Sequence, residues 1–196
     1  FDFVNISVVM DTEAYEIYDR VSSEIKNIIK SGGGYEKIMS SDNTALKNKM
    51  LMKMNTRKQL YSNYERKIDV AKLLCEQHKD DKVIVFNSFN KQTNAIYWNL
   101  LECGLKSCVI HSAIEKEKRQ QNIIDYRKDK FNIMLVSKVL DEGYNLPSID
   151  VGSIMAGDRS SKKQIIQRLG RILRKKNKKS TLYQVYCKGT VEEDTA

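Results

Sequence analysis

The chain has 196 residues, of which 41% are hydrophobic and 30% are charged, so it can bury the core of one compact domain. Its longest apolar run, Ile133 to Val136, is far too short to cross a bilayer, and we expect no membrane partner. The formal net charge of +9 favours a polyanionic partner, although charge alone does not separate nucleic acid from a membrane surface.

The cysteines and histidines argue against disulfides and against a metal site. The cysteines form no C-x-x-C pair, and the histidines lie too far apart for a recognisable metal motif; they are Cys75, Cys103, Cys108, Cys187, His78 and His111. We therefore expect no metal ligands and expect buried thiols in a reducing compartment. This predicts an intracellular protein, with cytoplasmic, nuclear and viral locations left open.

Residues 1–80 are predicted to form an N-terminal strand and a helical extension packed on the same domain. Alternating apolar residues predict a strand over 3–10, and helical spacing predicts an amphipathic helix over 12–30. A glycine run then begins a polar, flexible stretch to about residue 44. A second helical block follows over 45–78, with a break near 55–56.

From residue 81 onward, short apolar strands alternate with helices. The predicted strands cover 83–86, 107–110, 131–136, 151–155 and 182–186, and the predicted helices cover 90–103, 115–128 and 160–173. This alternation predicts an α/β fold with a mostly parallel sheet and helices on both faces. Tyr97 and Trp98 lie in the middle of a predicted helix, and we expect both in the core.

Ligands of such sheets bind at the carboxyl ends of the strands, so the loops that follow the strands are the candidate sites. These loops are Asn87 to Asn90, His111 to Ala113, Ser137 to Pro147, and Ala156 to Ser161.

Gln167, Arg171 and Arg174 are at positions i, i+4 and i+7, so on a helix they share one face. The helix predicted over 160–173 is apolar on the opposite side. The planar guanidinium of arginine suits phosphate oxygens. A basic surface helix is the alternative reading. The lysine-rich run that follows, 175–179, is expected to be a solvated loop.

The wording of this helix, Q-x-x-Q-R-x-G-R-x-x-R, resembles motif VI of superfamily-2 helicases and translocases. Three further segments resemble other motifs of that family in the same order: Val83 to Phe89 (motif IV), Ile110 to Ser112 (the histidine-small-residue step) and Met134 to Pro147 (motif V). The agreement covers about residues 82–187 and is nearest to the DNA-repair helicase and phage helicase branch. It implies a RecA-like domain over 81–196, the second of two in a motor.

The resemblance also implies roles for individual residues. Arg171 and Arg174 would be arginine fingers on ATP, and Gly143, Asn145 and Gln167 would face the same nucleotide. The loops would contact the nucleic-acid backbone through Ser88, Phe89, Asn90, His111, Ser112, Ser137 and Lys138. Other roles stay open for three of these: Ser137 as a helix N-cap, Phe89 as packing, and His111 as an organiser of the backbone.

Two parts of a complete ATPase are missing from the sequence. It contains neither a G-x-x-x-x-G-K-[ST] phosphate loop nor a D-E-x-[DH] magnesium box. We therefore expect ATP and Mg²⁺ to be held mainly by an upstream RecA-like domain, and the isolated chain to be inactive. The expected partners are that domain and nucleic acid, with DNA favoured over RNA. Alternatives are a double-stranded DNA translocase that does not separate strands, and a non-catalytic basic nucleic-acid-binding module.

Overall fold

The computed structural model describes residues 2–137, 148–155 and 180–195. Within these ranges the strands are β1 (Asp2–Val8), β2 (Val83–Asn87), β3 (Ser107–Ile110), β4 (Ile133–Ser137), β5 (Val151–Ile154) and β6 (Thr181–Cys187). The α-helices of the same ranges are α1 (Thr12–Ser31), α2 (Tyr35–Ser40), α3 (Thr44–Ser62), α4 (Glu65–Gln77), α5 (Asn90–Glu102) and α6 (Lys116–Arg127). A short 3-10 helix covers Glu193–Thr195.

The described strands form one sheet in the order β1-β6-β5-β2-β4-β3, and every pair of neighbours is parallel. In the centre, β2 pairs with β4 on one side and with β5 on the other. All residues of these three strands are buried, as expected for parallel strands covered on both faces. The predicted parallel α/β sheet is therefore confirmed.

The chain forms two compact units. The larger one comprises residues 1–9 and 62–196 and holds the whole sheet together with α4, α5 and α6. Its core includes Ile84, Met134 and Tyr126, all fully buried. The smaller unit, residues 10–61, comprises α1, α2 and α3 around its own cluster of Ile28, Ile38 and Met50.

Two details of the N-terminal part differ from the prediction. The polar stretch after α1 contains the short helix α2, because Gly33 and Gly34 turn the chain with φ angles of 77° and 118° and Ile38 is then buried. The helical block breaks at residues 63–64 and not near 55–56. Thr56 lies within α3, where its hydroxyl donates to the carbonyl of Met52, one turn earlier in the same helix.

Helix α5 connects β2 to β3, and its orientation corrects the prediction that Tyr97 and Trp98 belong to the core. The helix buries Gln92, Thr93, Ile96 and Leu100. Trp98 lies about 200° around the helix from Ile96 and is therefore not on the buried face of the helix. It is 58% exposed, and Tyr97 is half-buried.

None of the helices in the described ranges combines the length and the apolar character that a membrane span requires.

Candidate nucleic-acid interface

Three strands that are neighbours in the sheet end in loops that the sequence singles out. In the order β2-β4-β3, their carboxyl ends lead to residues 88–90, to residue 137 and to residues 111–112. Because the strands are parallel, these ends meet along one edge of the sheet, which we call the exit edge. The structure thus brings together Ser88, Phe89, Asn90, His111, Ser112 and Ser137. The other predicted site residues lie outside the described ranges: Lys138, Gly143, Asn145, Gln167, Arg171 and Arg174.

A hydrogen bond joins two of the three loops. The hydroxyl of Ser137, a residue that is only 1% exposed, donates to Oδ1 of Asn90 at the start of α5. This bond fixes the Asn90 amide with its oxygen toward Ser137, which leaves the two Nδ2 hydrogens as donors for another group. Amide hydrogens suit phosphate oxygens. The structure therefore favours Asn90 as the group that meets a backbone and Ser137 as the group that orients it.

The residues beside Asn90 differ in exposure. Ser88 is buried, and Phe89 is half-buried with extended backbone just ahead of α5. The Phe89 carbonyl accepts from both the N–H and the hydroxyl of Thr93, at 3.1 Å each, which anchors the first turn of the helix. Ser112 is exposed.

His111 is held by a neighbour on α5. Its Nε2 lies 2.9 Å from Oδ1 of Asn94. Because that oxygen can only accept, Nε2 carries the proton and Nδ1 of the neutral ring is an acceptor. Burial, and then the charge of Arg119, lower the pKa of His111 below its usual value. A neutral ring is poorly suited to a phosphate oxygen, but it can accept an N–H group.

Two buried amides at the exit edge were not among the predicted site residues, although Asn87 begins one of the candidate loops. Asn87 ends β2, and Gln92 lies in the first turn of α5. The side-chain nitrogen and oxygen atoms of both residues are buried and have no hydrogen-bond partner among the described residues. Buried amides are nearly always paired, so their partners come from the rest of the chain or from a ligand. In the sequence, the only indication of a role for Asn87 and Gln92 is that both are polar and lie close to the end of a predicted strand.

The family model of the helicase conserved C-terminal domain matches residues 65–176, more than half of the chain and most of the sheet. The chain belongs to the helicase C-terminal domain family. This confirms the resemblance to superfamily-2 helicases that was drawn from the four motifs.

Individual proteins with similar sequences support the assignment to this helicase C-terminal domain family. The chain is 27% identical over 195 residues to the DNA 3'-5' translocase XPB2 of Sulfurisphaera tokodaii, a match that covers 94% of the chain and 43% of that protein. It is 28% identical over 118 residues to the UvrABC system protein B of Oceanobacillus iheyensis, covering 58% of the chain and 18% of the relative. The chain thus spans less than half the length of either relative.

A solved structure supports the fold. The Sulfolobus solfataricus SWI2/SNF2 ATPase core in complex with dsDNA aligns with a TM-score of 0.75 over 99% of the chain and 42% of that structure. At 18% identity this similarity concerns the fold alone, and it agrees with the predicted RecA-like architecture.

A buried ion pair ties the other strand exits of the helicase C-terminal domain together. Lys67 on α4 and Glu192 after β6 are 0% and 1% exposed, and their charged atoms lie 2.5 Å apart. Lys67 Nζ also donates to the carbonyl of Met155, directly after β5, at 2.9 Å. Glu192 accepts from the N–H of Cys187 at 2.9 Å. Charges this deeply buried must be paired, so the geometry of β5 and β6 at their ends depends on both residues.

Cys187, next to this ion pair, has an unreactive thiol. Burial raises the pKa of its thiol to about 12, so the thiol stays protonated at neutral pH. Cys75 and Cys108 are also buried with pKa values raised to about 12, whereas Cys103 is exposed. All four are free thiols, and within the described ranges no three potential metal-binding side chains come together.

Removing one partner of the buried ion pair should be costly. We expect Lys67→Met to lower the free energy of unfolding by about 3–5 kcal/mol, because the Glu192 carboxylate would be left buried without a counter-charge. Adding Glu192→Gln should recover part of the loss, since Gln is neutral and can still accept from the Cys187 N–H. Urea unfolding followed by circular dichroism measures both.

The control for this prediction lies on the same helix. Lys72 makes a half-exposed ion pair with Glu76, with charged atoms 4.0 Å apart, and Lys72→Met should leave the unfolding midpoint almost unchanged. Equal losses in the Lys67 and Lys72 variants would contradict the importance of the buried pair.

The lowered pKa of His111 predicts a loss of stability in acid. As the pH falls below 6.5, the unfolded chain takes up this proton before the folded one does. The stability linked to neutral His111 is therefore present above pH 6.5 and is lost as the pH falls through the folded-state pKa. Urea midpoints at about pH 7.5 and about pH 5.5 should differ more in the wild type than in His111→Gln. Equal differences would refute the prediction, because His78 is common to both proteins.

Proposed function

We propose that the chain is the second motor domain of an ATP-dependent superfamily-2 nucleic-acid helicase. The observation that carries this proposal is the convergence of three neighbouring strand exits on one edge of a parallel sheet. That edge presents the Asn90 amide, oriented by Ser137, and it also contains the buried amides of Asn87 and Gln92. Such an edge suits a ligand with many regularly placed oxygen acceptors.

The proposed ligand is the sugar-phosphate backbone. Neutral amides and hydroxyls can hold phosphate oxygens without reading the base sequence, and the net charge of +9 attracts a polyanion from a distance. DNA is favoured over RNA because the similar XPB2 is named a DNA 3'-5' translocase and the similar SWI2/SNF2 core was solved with dsDNA.

The nucleotide side of the proposal rests on the motifs. Arg171 and Arg174 would stabilise negative charge on ATP, while Gly143, Asn145 and Gln167 would face the same nucleotide. Bound ATP and Mg²⁺ would supply the phosphoryl group and the cation that neutralises it, both held mainly by an N-terminal motor domain. Opening and closing of the cleft between the two domains would then move the exit edge along the backbone.

A double-stranded DNA translocase that does not separate strands is the second candidate. It is favoured by the XPB2 relative, which is named a DNA 3'-5' translocase, and by the dsDNA in the SWI2/SNF2 structure. Two assays on a protein that carries both motor domains distinguish the candidates. A helicase displaces one strand of a forked duplex, whereas a pure translocase displaces a third strand from a triplex and leaves the duplex intact.

The arginines provide the test of the catalytic assignment. In a protein that carries both motor domains, Arg171→Ala or Arg174→Ala should lower the rate of ATP hydrolysis by about 10³-fold or more, as for other arginine fingers. Nucleic-acid affinity without ATP should change little, because these side chains would face the nucleotide. Loss of nucleic-acid binding with a normal rate of ATP hydrolysis would contradict this assignment, because the two arginines would then contact nucleic acid and not ATP.

The exit edge provides the test of nucleic-acid binding. The chain should bind oligonucleotides without sequence preference, with a dissociation constant of about 10⁻⁴ to 10⁻⁶ M. If two to four phosphates are engaged, log K should fall with log salt at a slope of roughly −1.5 to −3.5. Asn90→Ala should weaken binding about two- to ten-fold, the range for one lost hydrogen bond, with the slope unchanged because no charge is removed.

Asn99→Ala is the matched control, because it removes the same side chain nine residues further along α5, about 13 Å away along the helix. It should bind like the wild type. Ser137→Ala should resemble Asn90→Ala, since it releases the Asn90 amide. Tight, salt-insensitive binding to one particular sequence would contradict a motor domain and favour a dedicated recognition module.

A further inference from the structure

A cavity of about 480 Å³ opens beside β3, the strand at one end of the sheet. It is lined by residues of α5, of β3 and of α6 together with its flanking loops. Its volume falls within the roughly 300–1,000 Å³ of typical small-molecule sites. None of the sequence motifs explains it, but one of its lining residues, His111, also belongs to the exit edge.

One wall of the cavity is aromatic. Tyr97 and Trp98 both line it, with ring centroids 5.2 Å apart and planes at 67°. Trp98 is 58% exposed, although indole is among the side chains that gain most from burial. A single exposed aromatic residue needs no explanation. Two adjacent aromatic residues in a concave site form a surface on which another flat ring can stack.

The lining of the same cavity also includes polar groups that can form further hydrogen bonds. Nδ1 of His111 and Oγ of Ser107 are buried, and neither has a hydrogen-bond partner among the described residues. His111 donates through Nε2 to Asn94, so its Nδ1 is available as an acceptor for a ligand N–H. Lys118, on an exposed part of α6, adds a positive charge to the lining. Stacking surface, acceptor and cation together suit a nucleotide.

An added β-strand from a peptide fits this edge less well. β3 has only four residues, all of them buried. The carbonyl of Val109 already accepts from Nδ2 of Asn122 at 2.9 Å, so a side chain of α6 occupies a backbone group that an incoming strand would pair with. The cavity beside β3 therefore suits a small flat ligand group better than the backbone of an added β-strand.

We infer that this cavity binds one unpaired nucleobase of the strand that crosses the exit edge, with the base stacked on Trp98 and an N–H group of the base donated to Nδ1 of His111. The inference rests on the proposed function, because the exit edge must first hold the backbone. It adds a contact to the base, which stacking makes tolerant of sequence. The domain would thereby prefer single-stranded over fully paired nucleic acid.

Trp98 is the only tryptophan of the chain, so its fluorescence reports on the cavity directly. The probes are oligothymidylate, an abasic oligonucleotide of the same length and free thymidine monophosphate. Fluorescence anisotropy of a labelled oligonucleotide measures binding independently of Trp98. We expect oligothymidylate to quench Trp98, the abasic strand to bind with little quenching, and the free nucleotide to quench only at much higher concentration.

Variants complete the test. Trp98→Ala should weaken oligothymidylate binding about 5- to 150-fold, the range for one lost base–aromatic stack, and should hardly affect the abasic strand. Trp98→Phe should retain part of the affinity, because it keeps an aromatic face. Leu101→Ala is the control: Leu101 is 49% exposed on the same helix and does not line the cavity, so its loss should change neither affinity.

The possible failures are distinguishable. Oligothymidylate binding without Trp98 quenching, and with normal affinity in Trp98→Ala, would overturn the inference and leave the proposed function intact. Failure of every oligonucleotide to bind would overturn both. Quenching by thymidine monophosphate but not by the oligonucleotide would assign the cavity to a free nucleotide. A Trp98 emission that shifts with protein concentration, and not with nucleic acid, would assign it to self-association; either of these last results also overturns the inference.

Discussion

Parallel pairing of β2 with β4 and with β5 is the constraint on which the rest of this domain depends. Parallel strands need long crossovers, so α5 and α6 must cover the faces of the sheet and every strand must end at the same edge. The central strands β2 and β4 can then be apolar up to their last residues, Asn87 and Ser137, because their polar side chains are confined to the strand ends and the loops that follow. The exit edge is thus a consequence of strand direction before any particular polar residue is considered.

The buried ion pair of Lys67 and Glu192 serves the same edge in a different way. Its two charges lie away from water and are held by the Met155 carbonyl and the Cys187 N–H, at the ends of β5 and β6. A pair of this kind contributes little net stability compared with apolar residues, but separating or removing either partner leaves a buried charge and is costly. We interpret it as a device for fixing where β5 ends, immediately ahead of the segment that carries Arg171 and Arg174.

Much of the sheet could be predicted from the sequence, because buried parallel strands such as Val83 to Phe86 stand out as short apolar runs between helices. The exits of β2, β3 and β4 followed from the same pattern. Other features depend on contacts that have no local signal. Lys67 and Glu192 are 125 residues apart in sequence, and the residues next to each of them in the sequence do not indicate an ion pair. The exposure of Trp98 depends on which face of α5 packs against the sheet. The position of Trp98 in the middle of an apolar helix does not by itself identify that face.

Binding of nucleic acid at the exit edge can be observed residue by residue by side-chain amide NMR of the 22.7 kDa chain. On titration with an oligonucleotide, we expect the NH₂ resonances of Asn90 to shift first and those of the buried amides of Asn87 and Gln92 to follow. The amide of Asn132, which donates to the Lys79 carbonyl just ahead of β4 at the opposite edge of the sheet, should stay in place. Shifts at Asn132, with the three exit-edge amides unmoved, would show that nucleic acid does not bind at the exit edge.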